Sequence, residues 1–198
     1  MTAGNFRKHG ITFIINVTQE APNLRMQGVD CIRVSVSWLV AKKFWWLICL
    51  LLFQIDDSPD ENILAHFDTV GDKINELISK GGKVVVHCVA GVSRSAAVTM
   101  AYLMKYHAMS LHDAFNHVSK VRRVIRPNNG FLKQLIVYEK QLFNKNSIQM
   151  TTLQRDDITI EVPDFFIVEH KRFVLLEALK AKSRQLKENN LTPNKPAK

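Results

Sequence analysis

Residues 82–104, GKVVVHCVAGVSRSAAVTMAYLM, constrain the fold of this chain more than any other segment. Three consecutive valines at 84–86 predict a buried strand that ends at His87 and Cys88. A short loop of small residues follows, and residues 96–105 predict a helix. In α/β folds, ligands bind at the carboxyl ends of the strands. The segment therefore predicts both a fold class and the place of a site.

Strands and helices alternate along most of the chain. Apolar runs predict two further strands, and helical spacing of apolar residues predicts three further helices. The strands are expected at residues 10–17 and 31–36, and the helices at residues 63–79, 110–121 and 131–144. A turn is expected at residues 127–130, Pro-Asn-Asn-Gly. This alternation predicts an α/β fold with a central, mostly parallel sheet flanked by helices.

Composition excludes several classes of protein. The 198 residues are 46% hydrophobic and 23% charged, which is typical of a globular protein. Three cysteines, Cys31, Cys49 and Cys88, form no C-x-x-C pair and the histidines form no H-E-x-x-H, so no disulfide framework and no metal site are predicted. The first ten residues contain no apolar signal core. We expect a reducing compartment, the cytoplasm, with the nucleus as a second location.

The net charge of +9 favours anionic partners, meaning phosphoproteins, nucleic acid or acidic lipid. From Glu177 to Lys198, however, six Lys or Arg residues accompany two Glu residues. A net +4 of the total therefore belongs to the end of the chain, where a solvated basic tail is the simpler explanation. The charge alone decides little about function.

The segment WLVAKKFWWLICLLLFQI, residues 38–55, is more apolar than a loop requires. Fully burying one large apolar side chain contributes about 1.5–3 kcal/mol, so we expect the ten apolar residues 44–53 to be buried or to lie at an interface. A transmembrane helix needs about 20 apolar residues, and Lys42 and Lys43 interrupt this run. Membrane association through this segment stays open, but it is not expected to span a membrane.

The residues around Cys88 suit attack on a phosphate ester. Such a reaction needs a thiolate, a set of donors for the phosphoryl oxygens, and a proton for the leaving group. A helix N-terminus beside cations lowers a cysteine pKa from about 8.5 to about 3.5–7.5. Gly91 tolerates backbone conformations that allow the loop amides to form an anion nest. Arg94 carries a planar guanidinium that binds two phosphoryl oxygens at once.

The letters HCVAGVSRS at residues 87–95 match the H-C-x-x-G-x-x-R-[S/T] signature of cysteine-dependent protein phosphatases. Within that superfamily the chain resembles the small, atypical dual-specificity phosphatases, which consist of a catalytic domain only. Residues 124–143, VIRPNNGFLKQLIVYEKQLF, are similar to their R-P-N-x-G-F-x-x-Q-L segment. The resemblance covers about residues 10–143 and implies a protein tyrosine phosphatase-like fold with a strand–phosphate loop–helix site.

The resemblance implies a role for each matching position. Cys88 is the nucleophile that forms a thiophosphate intermediate, and Ser95 hydrogen-bonds the sulfur and helps it to leave. His87 supports the loop and lowers the cysteine pKa, and Asn128 is similar to the asparagine that braces the phosphate loop, although Pro-Asn-Asn-Gly would also serve an ordinary turn. The phosphate ligands are Arg94 and the loop amides of Val89, Ala90, Gly91, Val92, Ser93 and Arg94.

The proton donor is predicted on the segment that precedes the first long helix. DDSPDENILAHFDTV resembles the family loop that carries the general acid, and Asp57 fits best, with Asp56 as the alternative. Either aspartate would also suit a solvated turn or a helix cap. In the family, the strand matching residues 31–37 leads almost directly to this aspartate. Here residues 38–55 intervene, so the position of Asp57 is the open question.

We assign residues 1–147 to a catalytic domain and residues 148–198 to a C-terminal extension, with a helix within 164–187 and a disordered basic end. The expected function is dephosphorylation of phosphotyrosine and phosphoserine or phosphothreonine in proteins, without metal or cofactor, and mitogen-activated protein kinases are a substrate class that the resemblance implies. One alternative is a phosphate-binding regulatory protein with weak turnover, because the insertion displaces the acid. Another is a phosphatase of RNA 5′-ends or phosphoinositides, which only the basic charge supports; we expect no nucleic-acid partner.

Overall fold

The computed structural model describes residues 8–18, 20, 30–33, 55–155, 158–169 and 171–191. Residues 34–36 of the second predicted strand, residues 38–54 of the apolar segment and residues 192–198 of the tail lie outside this part of the chain. The chain divides into two compact units between Ser147 and Ile148.

A parallel three-stranded sheet forms the centre of the first unit. The strands are β1 (Phe13–Asn16), β2 (Asp30–Arg33) and β3 (Val84–His87), in the order β2-β1-β3. β1 pairs with β3 from Phe13 opposite Val84 to Asn16 opposite His87. Ile14 and Ile15 of β1 are fully buried, as expected of a strand covered on both faces. The predicted α/β fold with a parallel sheet is confirmed.

Four helices of this unit lie wholly within the described residues: α1 (Leu64–Ser79), α2 (Arg94–His107), α3 (Leu111–Val121) and α4 (Asn129–Phe143). α2 is the central one and packs against α1, α3 and α4. Its small residues Ala97 and Ala101 are buried together with Met100 and Met104, which lets neighbouring helices approach closely. Because α2 directly follows the cysteine loop, the packing of the whole unit fixes the position of that loop.

Side-chain caps set two of the helix starts. Ser110 caps α3, as predicted, and its Oγ accepts a hydrogen bond from the Asp113 amide at 3.1 Å. Asn128 caps α4, and its Oδ1 accepts from the Phe131 amide at 2.9 Å. The predicted turn at residues 127–130 was two residues too long, because this cap starts the helix at Asn129.

The second unit contains a hairpin and two helices. β4 (Met150–Arg155) pairs antiparallel with β5 (Ile158–Pro163), and α5 (Asp164–Glu169) and α6 (Lys171–Leu191) follow. α6 packs against β5. Helical structure was predicted at residues 164–187, whereas the hairpin was not predicted. Among the helices of the described ranges, none has both the length and the apolar character to cross a bilayer.

Candidate active site

Hydrogen bonds to residues 122–126 fix the loop between β3 and α2, residues 88–93, which we call the phosphate loop. Arg122 donates from Nε to the Gly91 carbonyl at 2.8 Å and from Nη2 to the Ala90 carbonyl at 3.1 Å. The backbone N–H of Arg126 donates to the Val92 carbonyl at 2.8 Å. Gly91 has a φ of +64°, which glycine adopts without strain. Because these carbonyls point towards residues 122–126, the loop amides face the opposite side, where Cys88 lies.

The Cys88 thiol lies among hydrogen-bond donors at the bottom of this loop. It is 5% exposed, the Gly91 amide donates to Sγ at 3.2 Å, and the Ser95 hydroxyl lies 3.3 Å from Sγ. Burial opposes ionisation and raises the thiol pKa, but the Ser95 hydroxyl and the amides of Ser95, Val92 and Gly91 outweigh it, so the pKa of Cys88 is lowered from its usual value. The loop therefore favours a thiolate.

Arg94 is buried with one edge of its guanidinium engaged. Nη1 donates to the Ile55 carbonyl at 2.7 Å and to both carboxylate oxygens of Glu20 at 2.9 and 3.2 Å. Nε is buried as well and has no hydrogen-bond partner within the part of the chain that the structure describes. A buried donor normally has an acceptor. This edge of Arg94 therefore suits a phosphoryl oxygen, while Glu20 and Ile55 hold the opposite edge.

Asp57 lies against the same loop. Its Oδ1 accepts a hydrogen bond from the Ser93 hydroxyl at 2.6 Å and another from Asn128 Nδ2 at 3.1 Å. Asp56 is exposed and forms no hydrogen bond with any described residue. The structure thus brings Asp57, and not Asp56, together with the phosphate loop.

Helix α4 holds the segment around Asp57, residues 55–63, which we call the acid loop. Gln134 Nε2 donates to the Glu61 carbonyl at 2.8 Å, and its Oε1 accepts from the Leu64 amide at 2.8 Å. At Gly130, a Cβ would lie 1.8 Å from the carbonyl oxygen of Pro59. Only glycine permits this approach. The sequence motif R-P-N-x-G-F-x-x-Q-L contains both residues, but their contact with the acid loop was not predicted.

His87 and Asn128 lie beside the loop and do not contact the sulfur. His87 Nδ1 is 3.1 Å from the carbonyl oxygen of Cys88, and its Nε2 is buried without a hydrogen-bond partner among the described residues. The amide of Asn128 donates to Ser93 Oγ at 3.3 Å. Both positions suit supporting roles. Within the described ranges, no group of three or more His, Cys, Asp or Glu residues is arranged to hold a metal ion.

Two functional contacts had no signal in the sequence pattern. Glu20 lies 74 positions before Arg94, and Arg122 lies 31 positions after Gly91, outside the signature. A charged residue at either position is ordinary on a protein surface, so only the fold shows what it contacts.

Comparison with known proteins places this chain in a family. The family model "Dual specificity phosphatase, catalytic domain" matches residues 2–141. The chain is 42% identical over 142 residues to human dual specificity protein phosphatase 18, covering 72% of this chain and 65% of that protein. It is 43% identical over 141 residues to mouse dual specificity protein phosphatase 14, covering 71% of this chain and 62% of that protein. The match thus spans slightly less than two thirds of these curated relatives.

A solved structure shows the same likeness. The crystal structure of human DUSP28 superposes with a TM-score of 0.59 at 31% sequence identity. The superposition covers 71% of this chain and 82% of that one.

Proposed function

Because this chain belongs to the dual specificity phosphatase catalytic-domain family, we propose that it is a protein phosphatase that hydrolyses phosphotyrosine and phosphoserine or phosphothreonine through a cysteinyl-phosphate intermediate. One observation carries the proposal. The phosphate loop holds the Cys88 thiol, whose pKa is lowered, next to the buried guanidinium edge of Arg94, and its Ser93 binds the Asp57 carboxyl group of the acid loop. These are the nucleophile, the oxyanion-binding group and the acid that the reaction needs.

In the first step the Cys88 thiolate attacks phosphorus, so that a P–S bond forms while the ester P–O bond breaks. Arg94 Nε and the loop amides bind the phosphoryl oxygens, and Asp57 gives its proton to the leaving oxygen. In the second step water attacks phosphorus, the P–S bond breaks, and Asp57 takes the proton from the water. The Ser95 hydroxyl stabilises the departing thiolate.

A regulatory protein that binds phosphate with weak turnover is not favoured. That alternative required the apolar segment to displace the acid. Asp57 Oδ1 instead lies 2.6 Å from the Ser93 hydroxyl, and Gln134 and Gly130 hold the loop that carries it. These contacts support turnover.

The substrates belong to the same proposal. Phosphorylated proteins are the substrate class that the family implies, and mitogen-activated protein kinases are the members that the sequence resemblance suggests. We also propose the cytoplasm and nucleus as locations, because three cysteines that form no C-x-x-C pair suit a reducing compartment. Trapping of phosphoproteins by the Asp57→Ala variant in cell extract, identified by mass spectrometry, tests the substrates, and imaging of the tagged chain tests the locations.

Hydrolysis of a doubly phosphorylated Thr/Tyr peptide in the presence of a chelator tests the activity. We expect wild type to release phosphate, Cys88→Ser to be inactive, and Asp57→Ala to be slower by about 10²- to 10⁴-fold, most of all for phosphothreonine because its alkoxide is the poorer leaving group. Circular dichroism establishes that each variant is folded. A folded wild-type protein that is as inactive as Cys88→Ser would contradict the proposal.

A further inference from the structure

Ser93 occupies a helix N-cap position without capping the helix. It precedes the first residue of α2, with φ −113° and ψ −78°, and its side chain makes no cap hydrogen bond. A serine at this position usually accepts a hydrogen bond from an amide in the first turn, which contributes about 1 kcal/mol. In the same molecule Ser110 and Asn128 do cap their helices. The side chain of Ser93 therefore serves something other than α2.

The hydroxyl of Ser93 connects three parts of the site. It donates to Asp57 Oδ1 at 2.6 Å, and Oγ accepts from the Asn128 amide at 3.3 Å. Ser93 is 5% exposed, so its hydroxyl is shielded from water, whereas the Asp57 side chain that it contacts is exposed. Asn128 in turn donates from Nδ2 to the same Asp57 oxygen at 3.1 Å. Phosphate loop, acid loop and the start of α4 thus meet at one hydroxyl group.

We propose that Ser93 is a positioning residue for the general acid, an inference that rests on the proposed function. Its hydroxyl holds the acid loop against the phosphate loop. Because it turns away from α2, it also leaves the first amides of that helix to the site, where the Ser95 amide already donates to the Cys88 sulfur.

The two hydrogen bonds also orient the Asp57 carboxyl group. Both donors bind Oδ1, and Oδ2 accepts no hydrogen bond from the described residues. The transferable proton of a protonated Asp57 therefore belongs on Oδ2. Without the Ser93 hydroxyl, the carboxyl group keeps only the Asn128 bond and can rotate away from the leaving oxygen.

A double-mutant cycle with a series of aryl phosphates tests this role. We expect Ser93→Ala to lower kcat/KM, which reports only the first step, by about 10- to 100-fold for poor leaving groups, and by less as the leaving group improves, because a misplaced acid matters most when the leaving oxygen needs a proton. In the Asp57→Ala background, Ser93→Ala should have no further effect on kcat/KM, because the acid through which it acts is absent. Ser119→Ala is the matched control, since its hydroxyl donates to the Asn116 carbonyl on α3.

Hydrogen exchange provides a measurement that does not depend on turnover. The amides of Glu61 and Ile63 are hydrogen-bonded within the acid loop. We expect them to exchange faster in Ser93→Ala and in Asp57→Ala than in wild type or Ser119→Ala. Unchanged exchange would overturn the inference even in an inactive protein.

The activity outcomes separate the two proposals. An active wild type in which Ser93→Ala lowers kcat/KM equally for every leaving group, or multiplies the loss of kcat/KM caused by Asp57→Ala, overturns the role of Ser93 and leaves the phosphatase function in place. An inactive wild type overturns the function, and hydrogen exchange then decides whether Ser93 holds the acid loop.

Discussion

The phosphate loop and the acid loop meet at one site, but different kinds of contact hold them. The phosphate loop lies between β3 (Val84–His87) and α2 (Arg94–His107), so one short stretch of chain contains the loop and both elements that fix it. The acid loop, residues 55–63, belongs to no strand. Besides bonds within the loop, its hydrogen bonds reach partners 36 to 73 positions away, on the phosphate loop and on α4 (Asn129–Phe143).

This difference explains how an acid loop can follow an unusual apolar segment and still reach the site. All the partners named for the loop, Ser93, Arg94, Asn128, Gly130 and Gln134, come after it in the chain. Ile55 and Ile63 at its two ends are fully buried. Residues later in the chain thus position Asp57, and the two ends of the acid loop are buried in the core together with α2 and α4.

Arg94 belongs to both regions, so among changes at Arg94, Gly130 and Ser95 its replacement should have the largest effect. Nε is buried without a hydrogen-bond partner among the described residues, which suits a phosphoryl oxygen, while Nη1 binds the carbonyl of Ile55 at the start of the acid loop. A lysine cannot do both, because its ammonium group is a single point of charge. We expect Arg94→Lys to lower kcat/KM by about 10²- to 10³-fold and to weaken inhibition by vanadate.

The matched control for this change is Arg184→Lys, which alters an exposed arginine on α6 (Lys171–Leu191). Steady-state kinetics of both variants are compared with wild type. If Arg94→Lys has the same kcat/KM as Arg184→Lys, the Arg94 guanidinium does not connect the phosphate loop with the acid loop.

Gly130→Ala should disturb the acid loop and leave the phosphate loop unchanged. The new Cβ would lie 1.8 Å from the Pro59 carbonyl oxygen, so the acid loop has to move, whereas no contact of the phosphate loop is changed directly. We expect a loss of about 10- to 100-fold in kcat for poor leaving groups, with vanadate affinity retained. The strain should also lower the free energy of unfolding by about 1–3 kcal/mol.

Gly71→Ala on α1 (Leu64–Ser79) is the control for this prediction. There the nearest atoms to a Cβ lie at 3.8 and 3.9 Å, so alanine fits and should stabilise the helix by about 0.5–1 kcal/mol without loss of activity. Kinetics and urea unfolding of the two variants are measured together. Equal activity of Gly130→Ala and Gly71→Ala would show that the acid loop does not depend on this approach.

The same difference decides how much of the site was predictable. A strand, a cysteine, a glycine and a helix within 24 residues predicted the phosphate loop because local spacing determines its geometry. The choice of Asp57 over Asp56 came from resemblance, and the structure supports it only through contacts with Ser93 and Asn128. Contacts of Glu20 and Arg122 depend on the packing of distant elements, and no pattern along the chain encodes them. Gly130 belongs to a recognisable motif, but the motif does not show what this glycine contacts.

In the C-terminal unit a usable signal was present. Ile158, Ile160 and Val162 alternate with polar residues, which is typical of a half-buried strand, and Ile160 and Val162 are buried in β5 (Ile158–Pro163). Threonines and Gln154 obscure the alternation in β4 (Met150–Arg155). The hairpin was therefore missed at its weaker strand, whereas helical structure was expected within residues 164–187, where α5 (Asp164–Glu169) and most of α6 lie.

Ser95→Ala should have the smallest effect, because several donors of the phosphate loop, and not one alone, lower the pKa of Cys88. The Ser95 hydroxyl helps to lower the Cys88 pKa, but the amides of Ser95, Val92 and Gly91 act in the same direction and remain in the variant. Below its pKa the thiol is protonated and unreactive, and above it the thiolate reacts. Wild-type alkylation by iodoacetamide should therefore reach half its maximal rate at a lower pH than a free cysteine does.

In Ser95→Ala that midpoint should move to higher pH and stay below the free-cysteine value. Mass spectrometry of the Cys88 peptide measures the rate separately from the other two cysteines. Thr99→Ala, which removes a hydroxyl that donates to the Ser95 carbonyl at 2.7 Å, should leave the midpoint unchanged. A midpoint in Ser95→Ala equal to that of free cysteine would mean that one side chain, and not the backbone of the loop, ionises the nucleophile. The phosphate loop would then depend on a single contact as much as the acid loop does.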